Sequence, residues 1–248
     1  MGTSFLNLMP ERILGMQAKV ITLSDNKESF EAADRLIDSS NHYKNEFTIE
    51  KFKAAEPKDV VSGFFNRGLK WNYPWTEGHL DIQSGLYKTA YETADPKKRM
   101  ACFLSHWLLW YKCAETEEPF MIFEHDALFT RHLDLNELDI DGKFNIVSLN
   151  DPRGATRLSG VYHEMLQRDV GIAPCPYVDN NKQTPQGLPG NSAYYITPIG
   201  ARTLIELVRH FGAWPNDAIM CNQMMPRMLG CLSRYATTIQ KTTSTTTK

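Results

Sequence analysis

The chain has 248 residues, 42% of them hydrophobic, enough for a substantial buried core. Its 27 basic and 29 acidic residues nearly balance, which argues against a globally basic nucleic-acid binder. Five scattered cysteines without a C-x-x-C pair argue against a disulfide framework and a structural zinc site, and no apolar run approaches the length of a membrane span.

Residues 1–17 carry Glu11 and Arg12 and lack a continuous apolar stretch, so they read as a leader and not as a signal peptide. With no N-x-S/T acceptor anywhere in the chain, the expected compartment is the cytoplasm. A first strand is expected at Lys19–Leu23, followed by a helix over about Glu28–Ser39 with Asp25 or Asn26 as its cap. Strand, short polar turn, helix is the opening of an α/β nucleotide-binding unit. A second strand is expected around Phe47–Phe52, and residues 64–91 read as loop because Gly68, Pro74, Gly78 and Gly85 break any period.

Asp95-Pro96 supplies a cap followed by proline at the first helical position. Met100, Phe103, Leu104, Trp107, Leu108 and Tyr111 then recur at helical spacing. Lys97-Lys98-Arg99, on the first turn, reads as a solvated face. Phe120-Met-Ile-Phe runs straight into Glu124-His125-Asp126, the pattern of a fully buried strand ending in two acids. Strand alternation places Glu124 and Asp126 on one side and His125 on the other. Such a carboxylate pair suits a hard divalent cation, and a cation suits a diphosphate.

Another strand is expected at Phe144–Leu149, then a long loop or lid over 152–190, rich in Pro, Gly and polar residues. Ser192–Thr197 reads as a strand, and Thr197-Pro198 caps a helix that stops at Gly212. Asp217 reads either as a general base or as the N-cap of a helix over Ala218–Leu229. The Thr-rich tail, 241–248, is expected to be disordered. P-loop, dinucleotide, nucleophile-elbow and zincin signatures are all missing: Gln167 stands where a zincin after His163-Glu164 needs its second histidine.

Three blocks in order then carry a resemblance: Ala101-Cys102-Phe-Leu-Ser105-His106, Phe120-Met-Ile-Phe-Glu124-His125-Asp126-Ala127, and Gly190-Asn191-Ser-Ala-Tyr-Tyr-Ile-Thr-Pro-Ile-Gly-Ala201. Together with Val20–Leu23 and Pro215-Asn216-Asp217, they resemble family 25 of the glycosyltransferases over about residues 18–225. Thr22 stands where that family usually has Asn, and His125 replaces the middle acid of its Glu-Asp-Asp.

The resemblance implies one GT-A-like α/β domain over residues 18–240, with a mixed, mainly parallel sheet flanked by helices. It implies sugar transfer with inversion from a nucleotide-diphosphate donor, UDP-linked, to a hydroxyl on a glycan, a lipopolysaccharide-like molecule or a protein. Asp217 is then the base, and Thr22, Leu23, Ser24, Ser105, His106 and Asn191 hold the donor. Asp126, Glu124 and His125 are the candidate ligands of a divalent cation, Mn²⁺ or Mg²⁺.

Two alternatives stay open. The stretch Arg67-Gly-Leu-Lys70-Trp71-Asn-Tyr73-Pro-Trp75 interleaves cations with rings, which suits a hydroxymethylated DNA base as acceptor or simply a loop anchored to the core. The substitution at His125 also fits a non-catalytic nucleotide- or glycan-binding homologue.

Overall fold

The computed structural model describes residues 16–138, 142–154 and 158–241. The leader and the Thr-rich tail of the sequence reading lie outside these residues, apart from 16, 17 and 241. In chain order the elements are β1 (Gln17–Thr22), α1 (Lys27–His42), β2 (Ile49–Lys53), α2 (Val60–Phe65), β3 (His79–Asp81), β4 (Leu86–Lys88), α3 (Pro96–Thr116), β5 (Phe120–Glu124) and β6 (Ala127–Phe129). There follow β7 (Ile146–Ser148), α4 (Ser159–Leu166), β8 (Ile172–Pro174), β9 (Ala193–Ile196), α5 (Pro198–Phe211), α6 (Asn216–Ile219), β10 (Leu229–Leu232) and β11 (Thr237–Ile239).

Seven strands form the main sheet in the order β2-β1-β5-β9-β7-β10-β8. β1 pairs in parallel with β2 and β5, while β9 runs against both β5 and β7. β10 is parallel to β7 and antiparallel to β8, so only β9 and β8 oppose the common direction. This is the mixed, mainly parallel sheet that the sequence resemblance implies. Phe120, Met121, Ile122 and Phe123 are wholly buried, because helices cover both faces of β5; a continuous apolar run is what such a strand requires.

Local chemistry sets the helix ends. Asn26 Oδ1 accepts from the Ser29 N–H at 3.0 Å, and Ser29 Oγ accepts from the Leu23 N–H at 3.0 Å, tying the β1–α1 turn to the sheet edge. Asp95 Oδ1 accepts from the Lys97 N–H at 3.0 Å with Pro96 at the first position of α3. Thr197 Oγ1 accepts from the Gly200 N–H at 3.1 Å and starts α5. That helix ends at Gly212, whose φ of +80° and a position where a Cβ would lie 2.6 Å from the Asn72 Cβ both demand glycine. Helices α3 and α5 pack on the same face of the sheet, over Ile122, Ile146, Tyr194 and Ile196.

Three expectations are corrected. Residues 64–91 are not plain loop: the end of α2 and the β3–β4 hairpin lie there, too short for periodicity to show. The 152–190 segment contains α4 and β8, the latter completing the sheet edge beside β10. The helix read over Ala218–Leu229 shrinks to Asn216–Ile219, and Leu229 instead opens β10, because the all-buried run Leu-Gly-Cys-Leu fills a place between β7 and β8. Among the described residues, no helix is long and apolar enough to cross a membrane.

Candidate active site

β5 ends at Glu124, and His125-Asp126 form a tight turn into β6. Strand alternation therefore does not govern Asp126; the turn does. Residue Gln240, just past β11, fixes that turn. Its backbone N–H donates to the Asp126 carbonyl at 2.7 Å, and its side-chain amide donates to the carbonyls of Ala127 at 2.8 Å and Ala32 at 3.0 Å. Arg35 Nε donates to Gln240 Oε1 at 2.7 Å and so holds the amide in that orientation.

Behind Glu124 lies a buried polar chain. Trp110 Nε1 donates to the Tyr194 hydroxyl at 2.8 Å, and that hydroxyl lies 2.8 Å from His106 Nδ1. His106 Nε2 lies 3.1 Å from Glu124 Oε1. Since Tyr194 already accepts from Trp110 and burial holds its hydroxyl well above the usual tyrosine pKa, its proton is the one donated to Nδ1. The imidazole then presents Nε2–H to the carboxylate. Burial opposes ionisation of Glu124, yet the hydrogen bond from His106 and the nearby His125 and Arg99 side chains hold its carboxyl below the usual range.

The network makes a testable demand on stability. Tyr194→Phe strands the Trp110 N–H and His106 Nδ1 in the core, so the variant should lose about 1–3 kcal/mol for each group left unpaired. Thermal melts would register this as a fall of several degrees; a change below one degree would show that the hydroxyl contributes nothing.

Asp126 stands in a different state from Glu124. Its Oδ1 is buried and has no hydrogen-bond partner, although Ser192 reaches the carboxyl. Burial first, and the Glu124 charge second, push its pKa up to about 7. Asp217, an exposed residue of α6, is pushed up as well: desolvation by the protein around its carboxyl comes first, Glu124 adds to it, and Arg99 together with the Asp217 and Ala218 N–H groups opposes it. Asp126 and Asp217 thus both sense the charge of Glu124 at the end of β5, and Cys102 senses all three.

With its amide oriented so that oxygen faces donors, Asn191 accepts from the Asp217 N–H at 3.1 Å and from the Asn216 side chain at 3.3 Å, and so positions α6. The ligand atoms of Cys102, His106 and Glu124 lie within 4.8 Å of one another, but burial pushes the Cys102 thiol up, against metal binding as a thiolate. His125 is lowered by burial, with Glu124 and Glu28 opposing, and supplies an imidazole beside the acids.

The remaining sequence candidates divide. Ile21 pairs with Glu124 in register, which puts Leu23 and Ser24 on the rim beside the acids. Thr22 is buried, and its hydroxyl donates to the Phe52 carbonyl at 3.3 Å. Ser105 Oγ donates to the Ala101 carbonyl at 2.8 Å and accepts from the Ala55 N–H at 2.9 Å, so it clamps the segment after β2 against α3. Trp71 stacks on Trp75 with centroids 4.8 Å apart and meets Phe103 edge-on, the anchored form of that patch.

Sequence reasoning missed Arg99, Cys102, Trp110, Tyr194, Ser192 and Gln240. Arg99 was read as solvated, yet it is 6% exposed. The signal was available: residues 99, 102, 103, 106 and 110 share one face of a helix.

A comparison with family models matches residues 29–220 to glycosyltransferase family 25 (LPS biosynthesis protein). A comparison with curated proteins finds no match. Among solved structures, the chain is similar to a glycosyltransferase involved in glycosylation of the major capsid of PBCV-1, at 8% identity and a TM-score of 0.42, covering 92% of this chain and 94% of the other. It is also similar to mouse xyloside xylosyltransferase 1, at 13% identity and a TM-score of 0.39, covering 88% and 84%. A third, GlyE of Streptococcus pneumoniae TIGR4, gives 11% identity, a TM-score of 0.39 and coverage of 88% and 45%. The family model spans well over half of the chain, and it falls on the helix, strand-end and turn that build the acidic edge, so the chain belongs to glycosyltransferase family 25 and is a transferase of glycosyl groups.

Proposed function

We propose that the protein transfers a sugar from a nucleotide-diphosphate donor, UDP-linked, to a hydroxyl acceptor on a glycan, with inversion at the anomeric carbon. The observation that carries this reading is the buried, unpartnered Oδ1 of Asp126 beside an ionised Glu124 at the end of the central strand. An oxygen so placed costs stability until a positive group meets it. The two carboxylates suit a hard divalent ion such as Mn²⁺, whereas His125 is not among the side chains whose ligand atoms converge with Glu124. The chemistry such an ion supplies when bound is neutralisation of the leaving diphosphate.

The chain's own residues account for the rest. The His106–Tyr194–Trp110 chain fixes the Glu124 carboxylate, and Gln240 fixes the turn that presents Asp126. Asp217 takes the proton of the acceptor hydroxyl as its oxygen attacks the anomeric carbon. The bond to the diphosphate oxygen breaks and the electron pair leaves with it; a single displacement of this kind inverts the centre. With its pKa raised, Asp217 is a stronger base than an ordinary carboxylate. Cytoplasmic residence belongs to the same reading, since the five cysteines are all free.

Turnover of UDP-, GDP- and CMP-sugars with Mn²⁺ and with EDTA tests the reading. Transfer or slow hydrolysis of a UDP-sugar that stops in EDTA is expected; the absence of turnover with every donor would overturn it. Gln240→Ala should weaken Mn²⁺ about tenfold, because the turn carrying Asp126 loses its outer hydrogen bonds. A Mn²⁺ titration giving wild-type affinity would remove Gln240 from the account.

A further inference from the structure

The cation on α3 that faces the acidic edge has no assigned purpose. Helix α3 runs against β5: Cys113 Sγ lies 3.2 Å from the Glu118 carbonyl near the start of the strand, and His106 meets Glu124 at its end. Arg99 lies two turns further along the same helix face, so it stands beyond the strand end, on the side of the acids. The residue is 6% exposed, and its Nε has no hydrogen-bond partner. Its guanidinium carbon sits 3.8 Å from the centroid of the Tyr91 ring, and Tyr91 is itself held by a 2.9 Å bond from its N–H to the Pro74 carbonyl. The ring covers a face of the guanidinium and leaves recognition to the edge. Its charge is felt by Glu124, Cys102 and Asp217, which places the group among the acids.

A buried guanidinium with an unpaired N–H calls for an acceptor, and the edge formed by Nε and one terminal nitrogen matches two oxygens of a phosphate in a bidentate pair. The charge balance selects the same ligand. Glu124, Asp126 and Asp217 bring three negative charges when ionised, and the diphosphate of a nucleotide-sugar brings two more; one divalent ion offsets only two of the five. We infer that Arg99 is a binding residue for the donor diphosphate, a fixed cation that shares the leaving group's charge with the ion at the strand end. The inference rests on the nucleotide-diphosphate reading and deepens it.

The test measures affinities of UDP against UMP, and GDP against GMP, by calorimetry in saturating Mn²⁺. The comparison uses the wild type, Arg99→Gln and Arg99→Lys. The wild type is expected to prefer one nucleoside diphosphate over its monophosphate. Arg99→Gln should shrink that preference at least tenfold while leaving monophosphate affinity within about twofold; Arg99→Lys, which keeps the charge without the fork, should fall between. A merely structural role would weaken both nucleotides alike. An unchanged preference, or an equal loss for both, overturns the inference and leaves the donor reading standing. Failure of the wild type to bind any of the four overturns both. Should Arg99→Gln fail to fold, a loss of about three- to tenfold confined to the diphosphate in Arg99→Lys supports the inference, and no loss refutes it.

Discussion

Replacing Asp126 by Asn should make the metal-free protein more stable while reducing transfer about a thousandfold. The loss of rate follows from removing a carboxylate proposed to hold the cation, whose charge stabilisation would be worth several kcal/mol in the transition state. The gain in stability follows from the same oxygen. In the native protein the carboxyl pKa is raised to about 7 by burial and by Glu124, whereas in the unfolded chain it returns to the ordinary value near 4. Between those pH values the folded state binds the extra proton, so the stability contributed by this group is fully present below the unfolded value and is lost as pH rises to about 7. Above pH 7 the penalty is complete, on the order of 2–4 kcal/mol, and a neutral amide escapes it. Melts at pH 8 without metal should show Asp126→Asn higher by several degrees; at pH 4 the difference should vanish. A wild-type protein as stable as the variant at pH 8 would refute the assignment of strain to this oxygen. The same proton competes with the ion, so Mn²⁺ affinity should fall about tenfold per pH unit below 7.

Asp217→Asn should lower kcat by about 10²–10⁴ and leave the donor KM nearly unchanged, the signature of a lost proton acceptor. Asp217 is an exposed residue whose carboxylate feels the charge of Arg99 and receives N–H groups of its own turn, so the isosteric amide disturbs little of the packing. Its raised pKa also sets the acid limb of the kcat profile: rate should climb with pH through a value above that of an ordinary aspartate and then level off. A variant with wild-type kcat would make Asp217 an ordinary helix-terminal acid, the other reading its sequence position allowed.

Much of the scaffold was readable because it depends on local signals. Asn26, Asp95-Pro96 and Thr197-Pro198 mark helix starts through hydrogen bonds made within three residues, and the Phe120–Phe123 run could only belong to a strand covered on both faces. What escaped depends on distant partners. β11 and β6 are three-residue strands joined across more than a hundred positions, so nothing near Gln240 announces that it will hold the turn of Asp126. The run 218–229 looked helical because its apolar residues are dense, and only the vacancy between β7 and β8 decides that Leu229 becomes a strand. At the site, the acids were legible from spacing and resemblance. The tautomer of His106 was not, because it is set by Tyr194 arriving from β9 and oriented there by Trp110, one turn further along α3.

The claim on which the rest depends is tested most directly by calorimetric titration of UDP into the wild type and Asp126→Asn, each in Mn²⁺ and in EDTA. Tight binding should occur only for the wild type in Mn²⁺, with at least a hundredfold weaker binding in the other three experiments. Equal affinity in all four would mean that the acidic strand end does not carry the donor.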